Sequence, residues 1–436
     1  MQTRFTAEQL GDPAVADCER NLRACVHCGF CLATCPTYTL LGDELDSPRG
    51  RIYLIKDMLE HDRPASAEVA LHVDRCLSCL ACQTTCPSGV NYQHLIDHAR
   101  AHVEKTYARP LLDRVLRDVL ARLLPYPGRF RLALRLAGLA RPFRGLFRGR
   151  LAAMLALAPA RLPRQDDAFA GEIFPAVGPR RGRVALLTGC AQTVIAPSIN
   201  EATIRLLNRH GVEVVVPPAA GCCGAIVHHM GKAEQARALA VDTIRAWIDE
   251  AAARGLDAIV VNTSGCGTEI KDYGHIFRED PVWAEPAARV SGLARDISEY
   301  LVEIGLAEIG LKQPEQAAGL TVAYHAACSL QHGQKVIGQP KALLAAAGFT
   351  VRDVPEGHLC CGSAGTYNLL QPEIAGQLKA RKLANIARTK PDVIATGNVG
   401  CITQLAGDAG IPVLHTVELL DWATGGPKPE ALNSKA

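Results

Sequence analysis

The hydrophobic rhythm of the chain changes along its length. From residue 181 onward, short apolar runs alternate with amphipathic stretches. VALLTG, VEVVVP and DAIVVNTSG read as buried strands, and LTVAYHAA, TVRDVP and DVIATGNVG repeat the series. Helical spacing fills the gaps, from about Pro197 to His210 in the first series, and over Gln339–Gly348 and residues 372–388 in the second. Strands alternating with helices predict parallel sheets. Before residue 181 the period is helical. Arg51–Glu60 places Ile52, Ile55 and Leu59 on one face, after a Ser47-Pro48-Arg49-Gly50 turn, and a second helix is predicted over Asn91–Lys105. Leucines recur at helical spacing in LLDRVLRDVLARLL, where the stretch 109–164 begins, and Pro125, Pro127, Pro142, Pro159 and Pro163 cut that stretch into short pieces. The predicted fold is therefore an α-helical N-terminal domain followed by a duplicated α/β domain, with boundaries at 1–105, 106–180, 181–310 and 311–436.

Chemistry enters with the cysteines. Cys25, Cys28, Cys31 and Cys35 precede Pro36, and Cys76, Cys79, Cys82 and Cys86 precede Pro87. Both runs read C-x2-C-x2-C-x3-C-P, the bacterial ferredoxin pattern for a pair of [4Fe–4S] clusters, in which the fourth cysteine serves the other cluster. Cys25, Cys28, Cys31 and Cys86 are thus expected around one cluster, and Cys76, Cys79, Cys82 and Cys35 around its neighbour. Zinc also takes four thiolates, but structural zinc sites usually pair two C-x2-4-C motifs.

The α/β half carries a second pattern. Cys190/Cys328, Cys222/Cys360 and Cys223/Cys361 each lie 138 residues apart, and Cys266/Cys401 lie 135 apart. Four matching cysteines at nearly one offset mark an internal duplication. Each falls just after a predicted strand, at the sheet edge where open α/β folds gather ligands. Cys190, Cys222, Cys223 and Cys266 are expected to converge, as are Cys328, Cys360, Cys361 and Cys401, around a further iron–sulfur cluster, zinc or a redox-active thiol pair. Cys18 is left over as a buried apolar side chain. His228, His229, His325 and His358 sit close to these cysteines, able to hydrogen-bond a sulfur, move a proton or ligate a metal. The stretch Gly362–Tyr367 is expected to serve as a turn.

Composition narrows the class. A length of 436 residues exceeds a single core, and a net charge of +3 is too small to argue for nucleic acid. Seventeen cysteines behind an opening, MQTRFTAEQLGD, that lacks an apolar signal core predict metal chemistry in a reducing compartment. The longest apolar run, Leu151–Ala160, is too short to span a bilayer. Residues 109–164 hold thirteen arginines against Asp113 and Asp118. The prolines interrupt any continuous amphipathic face, which favours a linker packed on its neighbours over a membrane-surface helix. No G-x-G-x-x-G loop or P-loop is present, so oxidation of an alcohol carbon falls to a flavin-bearing partner.

Over essentially its whole length the chain resembles the iron–sulfur subunits of glycolate oxidase (glycolate dehydrogenase). The resemblance rests on LRACVHCGFCLATCPTY, LLGDELDSPRGRIYLIK, DRCLSCLACQTTCPSGV, AGCCGA, SGCG and HLCCGSAGTY, in this order. It implies a helical two-cluster ferredoxin domain, two CCG domains like those of heterodisulfide reductase, and a two-part FAD-binding partner. It also implies transfer of electrons from glycolate to a quinone or other membrane acceptor, at the cytoplasmic face of the inner membrane. A D-lactate, glycerol-3-phosphate or other hydroxy-acid dehydrogenase would use the same role. Heterodisulfide reductases end each repeat in CxxC. Here Thr263 and Asn398 occupy the first of those positions, which argues against their noncubane clusters.

Overall fold

The computed structural model of the protein describes residues 1–159, 162–163, 169–306 and 319–433. The boundary expected at 310/311 and the end of the Leu151–Ala160 run lie outside the described residues.

The N-terminal region is built from helices α1 (Pro13–Ala24), α2 (Pro36–Leu41), α3 (Pro48–Glu60), α4 (Ala67–Asp74), α5 (Ala81–Thr85) and α6 (Tyr92–Thr106). Local chemistry sets their starts. Asp12, Ser47, Ser66 and Asn91 accept backbone N–H groups as caps, and prolines open α1, α2 and α3. The apolar stripe of α3 (Ile52, Ile55, Leu59) packs with Leu22 of α1, Val73 of α4 and Leu95 of α6 in one core.

The predicted α/β duplication is present in full. Strands β1 (Ile173–Phe174), β2 (Gly182–Leu187), β3 (Val212–Val215), β4 (Ala258–Val261) and β5 (Ala294–Asp296) form one sheet in the order β1-β3-β2-β4-β5. Strands β6 (Thr321–Tyr324), β7 (Thr350–Asp353), β8 (Val393–Thr396) and β9 (Val413–His415) form the second, ordered β7-β6-β8-β9. All pairs are parallel except β1 with β3. With β1 set aside, the two sheets share one topology. Three short strands, β1, β5 and β9, went unpredicted, because two or three residues leave no periodicity to read. The repeats pack through one core in which Leu206 and Leu207 meet Leu419, Leu420 and Trp422, and Arg205 and Arg209 pair with Asp421.

Between these halves lie α7 (Leu111–Leu123), α8 (Pro127–Ala140) and α9 (Gly149–Leu157), cut where the prolines predict. Their inner arginines are held. Asp74 of α4 receives Arg109 at 2.6 Å and Arg117 at 2.8 Å, and Asp113 receives Arg117 at 3.1 Å and Arg150 at 2.5 Å. The outer face differs from a simple packed linker. Leu112 and Leu146 are more than 80% exposed, and Leu132, Leu136, Leu139 and Phe143 are exposed as well. Among the described residues no helix is long and apolar enough to cross a membrane.

Replacing Asp74 by Asn should leave Arg109 on Glu104 and Asp113 and Arg117 on Asp113 alone, weakening the buried network at a cost of about 1–3 kcal/mol. The midpoint of thermal unfolding should fall. An unchanged midpoint would show that α7 does not depend on this anchor.

Candidate metal centres

The two ferredoxin runs form loops that double back on themselves. His27 and Gly29 lie between the first three cysteines of one run, Ser78 and Leu80 at the matching places of the other, and all four have positive φ. A left-handed residue after each step keeps successive sulfurs turned to one side. For the non-glycine residues this strain costs of order 1–3 kcal/mol each. The loops build two neighbouring hollows. Cys25, Cys28, Cys31 and Cys86 line one, with Cys82 on the shared wall. Cys35, Cys76, Cys79 and Cys82 line the other. Cys86 thus sits with the first run's leading cysteines, and Cys35 with the second's. Cys18 is buried in α1, away from both linings, and burial first, then Asp17, raises its thiol to about 12.

The segment between the runs supplies a buried cation, Arg51, that no local sequence pattern marks. The Arg51 guanidinium, fully enclosed, donates to the His72 carbonyl at 2.6 Å, to Thr37 Oγ1 at 3.1 Å and to Asp46 at 3.3 Å, and reaches Cys35 Sγ at 3.9 Å. Asp46 also receives Arg75 at 2.8 Å and lies 2.9 Å from His72 Nδ1. The Tyr92 hydroxyl donates to Cys76 Sγ at 3.8 Å, and Arg100 donates to the Cys76 carbonyl at 2.5 Å. Charge donated towards sulfur from fixed groups stabilises thiolates in a low dielectric.

In the α/β half both sets of four converge beyond the C-terminal strand ends. Cys328 and Cys360 sulfurs lie 3.7 Å apart, and those of Cys361 and Cys401 lie 3.4 Å apart. In the first repeat Cys222 is hydrogen-bonded by Cys190 and Cys223, while Cys223 and Cys266 are also in contact. Those donated bonds hold the Cys222 thiol well below its ordinary value, and the Cys190 and Cys223 thiols are raised. The glycine of each CCG has a structural reason. Gly224 and Gly362 take φ of +89° and +91°, and an added Cβ would run into the carbonyl oxygens of Ala236 and Ala375. No other residue lets the following helix close over the cysteine pair.

All seventeen cysteines are free thiols and only Cys28 is exposed. A buried crowd of thiols whose ionisation burial opposes is a donor set that metal ions deprotonate and fill. Thr263 and Asn398, where CxxC would begin, have other work. Thr263 Oγ1 donates to Gln192 Oε1 at 2.5 Å, and Asn398 caps its helix through Gly400 N–H at 3.0 Å.

The four modules of sulfur are contiguous. Leu77, Cys79 and Ala81 share one core with Cys360, Cys361 and Cys401. Thr84 Oγ1 lies 2.7 Å from His332 Nδ1, and the Tyr367 hydroxyl donates to the Arg75 carbonyl at 3.0 Å. Both CCG sets open onto one apolar cavity of about 500 Å³, roofed by Leu120, Leu124, Phe130, Leu134, Met154 and Leu155 of α7–α9. His229 lines it with Nδ1 unpartnered, and burial lowers its pKa to about 4, so it is neutral. His358 is half-buried beside Glu356 and Lys382.

Comparison with known proteins agrees with this geometry. A 4Fe-4S dicluster domain family matches residues 21–90, and a cysteine-rich domain family matches residues 184–271 and 322–406. The glycolate oxidase iron-sulfur subunit of Escherichia coli (strain K12) is 42% identical over 97% of this chain and 99% of its own. The chain belongs to this family. The probable glycolate oxidase iron-sulfur subunit of Bacillus subtilis (strain 168), another relative, is 32% identical over 93% of this chain and 95% of its own. Lactate utilization protein A of Geobacillus thermodenitrificans (strain NG80-2) is 28% identical, over 55% of this chain and 98% of its own. A crystal structure of a hypothetical protein from Helicobacter pylori shares the fold, with a TM-score of 0.53 at 11% identity over 97% of this chain and 74% of that one. Membership makes the chain an iron–sulfur component of an oxidoreductase.

One buried pair gives the site a pH dependence. His228 Nδ1 lies 2.8 Å from Glu269. Burial opposes the histidine's charge, but Glu269 and Asp97 outweigh it and raise its pKa from 6.5 to about 10. A raised folded-state value contributes stability that is complete below pH 6.5 and lost as pH climbs through about 10. The stability advantage of the unsubstituted protein over His228→Gln should therefore shrink between pH 6 and pH 10 in thermal melts. A difference independent of pH would assign His228 to packing alone.

Proposed function

We propose that the chain is the electron-transfer subunit of a glycolate-oxidising complex, taking electrons from a two-part FAD-binding partner and passing them to a quinone-type acceptor. The observation that carries this reading is the unbroken line of sulfur sites, from the exposed Cys28 through Cys79 to Cys360 and the apolar cavity. Cys25, Cys28, Cys31 and Cys86 would hold one [4Fe–4S] cluster, and Cys76, Cys79, Cys82 and Cys35 the second. Cys190, Cys222, Cys223 and Cys266, and Cys328, Cys360, Cys361 and Cys401, would hold metal or a further cluster in each repeat.

Bound clusters supply one-electron carriers, which a two-electron donor and a two-electron acceptor need between them. Glycolate gives two electrons and two protons to the partner's flavin and leaves as glyoxylate, and a quinone taking two of each becomes a quinol. This chain's residues hold and tune the route. Arg51 places fixed positive charge beside Cys35, which favours an added electron there. The α7–α9 roof gives an apolar ring system a dry seat, and His229 offers a neutral imidazole nitrogen to a ring oxygen.

The outer face of α7–α9 fits the same reading. Exposed leucines and phenylalanine flanked by arginines suit an anionic membrane surface, such as the cytoplasmic leaflet of an inner membrane. The purified chain should sediment with vesicles containing anionic phospholipid, and Leu112→Ser/Leu139→Ser/Leu146→Ser should weaken this severalfold. Equal sedimentation of both would remove the membrane from the proposal.

The function itself is tested on the complex purified anaerobically with its flavoprotein. Glycolate should produce the electron paramagnetic resonance signals of reduced clusters. In a Cys28→Ser complex flavin reduction should survive, while iron content and electron transfer to the acceptor fall. Reduction by D-lactate or glycerol-3-phosphate in place of glycolate would move the complex to that substrate. Unchanged iron in Cys28→Ser would refute the ligand assignment.

A further inference from the structure

The repeats share four cysteines, yet they differ at a residue that faces them. His325 ends the backbone path of β6 into its loop, three residues before Cys328. The same place in the first repeat, three residues before Cys190, is Leu187, the last residue of β2. The register is secure, because Val322 and Val184 hold matching positions in the two sheets. Both residues are buried to within 1% of full enclosure. Leucine belongs in that setting and histidine does not. Neither imidazole nitrogen of His325 has a hydrogen-bond partner, although its own backbone N–H is satisfied by Ala395 at 2.8 Å. A neutral imidazole sealed from water with both nitrogens idle is unfavourable, unless one lone pair is taken by something absent from the polypeptide.

Its surroundings say what that is. A ring nitrogen of His325 and the sulfurs of Cys361 and Cys401 all lie within 4.8 Å of one another. Two ligands of one iron or zinc ion, each about 2.0–2.3 Å from it, stand no more than about 4.6 Å apart, so little movement is needed for the three to share an ion. The repeats depart at a second place facing the same sulfurs. Lys382 is 98% buried beside Cys360, Cys361 and Cys401, with Nζ donating to the Glu356 carbonyl at 3.0 Å. The first repeat places Thr243 there, counting from the glycine contacts at Ala236 and Ala375 that align the two helices.

We infer that His325 is a nitrogen ligand of the metal centre in the second repeat, sharing one metal ion with Cys361 and Cys401, and that the first repeat holds an all-sulfur centre. The inference rests on the reading that the CCG cysteines bind metal. It does not depend on which substrate feeds the complex.

The test uses the full chain purified anaerobically, grown with ordinary or 15N-labelled histidine and reduced with dithionite, with no flavoprotein or substrate present. Pulsed electron paramagnetic resonance should show a coordinated imidazole nitrogen whose coupling changes with the label. X-ray absorption at the zinc edge of the same sample covers a diamagnetic ion, where a nitrogen in a shell otherwise made of sulfur is expected. His325→Leu, which installs the residue the first repeat already tolerates, should abolish the nitrogen signal and leave the ferredoxin-cluster signals intact. No coordinated histidine nitrogen at either metal in the unsubstituted chain would overturn the inference, whether or not the variant folds. So would a nitrogen signal that persists in His325→Leu, or a chain whose only metal is the iron of the two ferredoxin clusters.

Discussion

Sixteen thiols gathered into four groups, most of them shielded from solvent, are the constraint to which the rest of the structure answers. Sulfurs within 3.4–3.7 Å of each other inside a protein resist ionisation, since each thiolate would repel the next in a low dielectric. Metal binding reverses that balance and turns a strained arrangement into the most cohesive part of the chain. The backbone accordingly accepts conformations it would otherwise avoid, including positive φ at His27, Ser78 and Leu80. Seen this way, the CCG motif combines two ligands with the hinge that presents them. Its glycine permits both the left-handed turn and the close helix, and the cysteines follow from where that turn sits.

Around the sulfurs runs a layer of fixed cations and hydroxyls. Arg51, Arg100 and Tyr92 serve the ferredoxin loops, and Lys382 serves the second repeat. Arg51, Arg100 and Lys382 are each anchored by a bond to a backbone carbonyl, so their charge stays beside the sulfurs whatever the centre's oxidation state. Such preorganisation suits electron transfer, in which charge changes and atoms should not move. Arg51 is held on three sides by Thr37, Asp46 and the His72 carbonyl, which explains why the stretch between the cysteine runs is specific in sequence and is more than a spacer.

Much of this was legible in the sequence. Ligand spacing, the proline after each fourth cysteine and the 138-residue offset are local or arithmetic signals, and they led directly to the hollows at Cys25–Cys86 and Cys35–Cys82 and to the two convergent sets. Strands β2, β3, β4, β6 and β8 announced themselves by largely apolar runs, because parallel strands inside a sheet are covered on both faces. The exposed edge strand β7, reading Thr-Val-Arg-Asp, is marked by the repeat instead. What sequence could not show depends on long-range packing. Nothing local in RGRIYLIK says that Arg51 points inward while Arg49 does not. The prolines of α7–α9 interrupt any continuous amphipathic face in the sequence. Yet Leu112, Leu139 and Leu146 come from three separate pieces, and all three are left exposed.

On the proposed route, a duplicated domain with matching cysteine sets would offer an electron two exits. The docking of the ferredoxin region breaks that tie. Towards the first repeat it presents polar groups, His94 and Gln93 on Asp272 and Glu104 on Lys232, with no sulfur among them. Towards the second it presents Leu77, Cys79 and Ala81, packed into the core that holds Cys360 and Cys361. Tunnelling falls steeply with distance, so on that route the second repeat would be the nearer station, with the first across the cavity from it. The residue differences fall on the same side: His325 and Lys382 belong to the repeat that meets Cys79, and Leu187 and Thr243 to the one that does not. On that proposal duplication supplied two copies of a thiol-rich frame, and asymmetry of docking sets only one of them beside the ferredoxin cysteines.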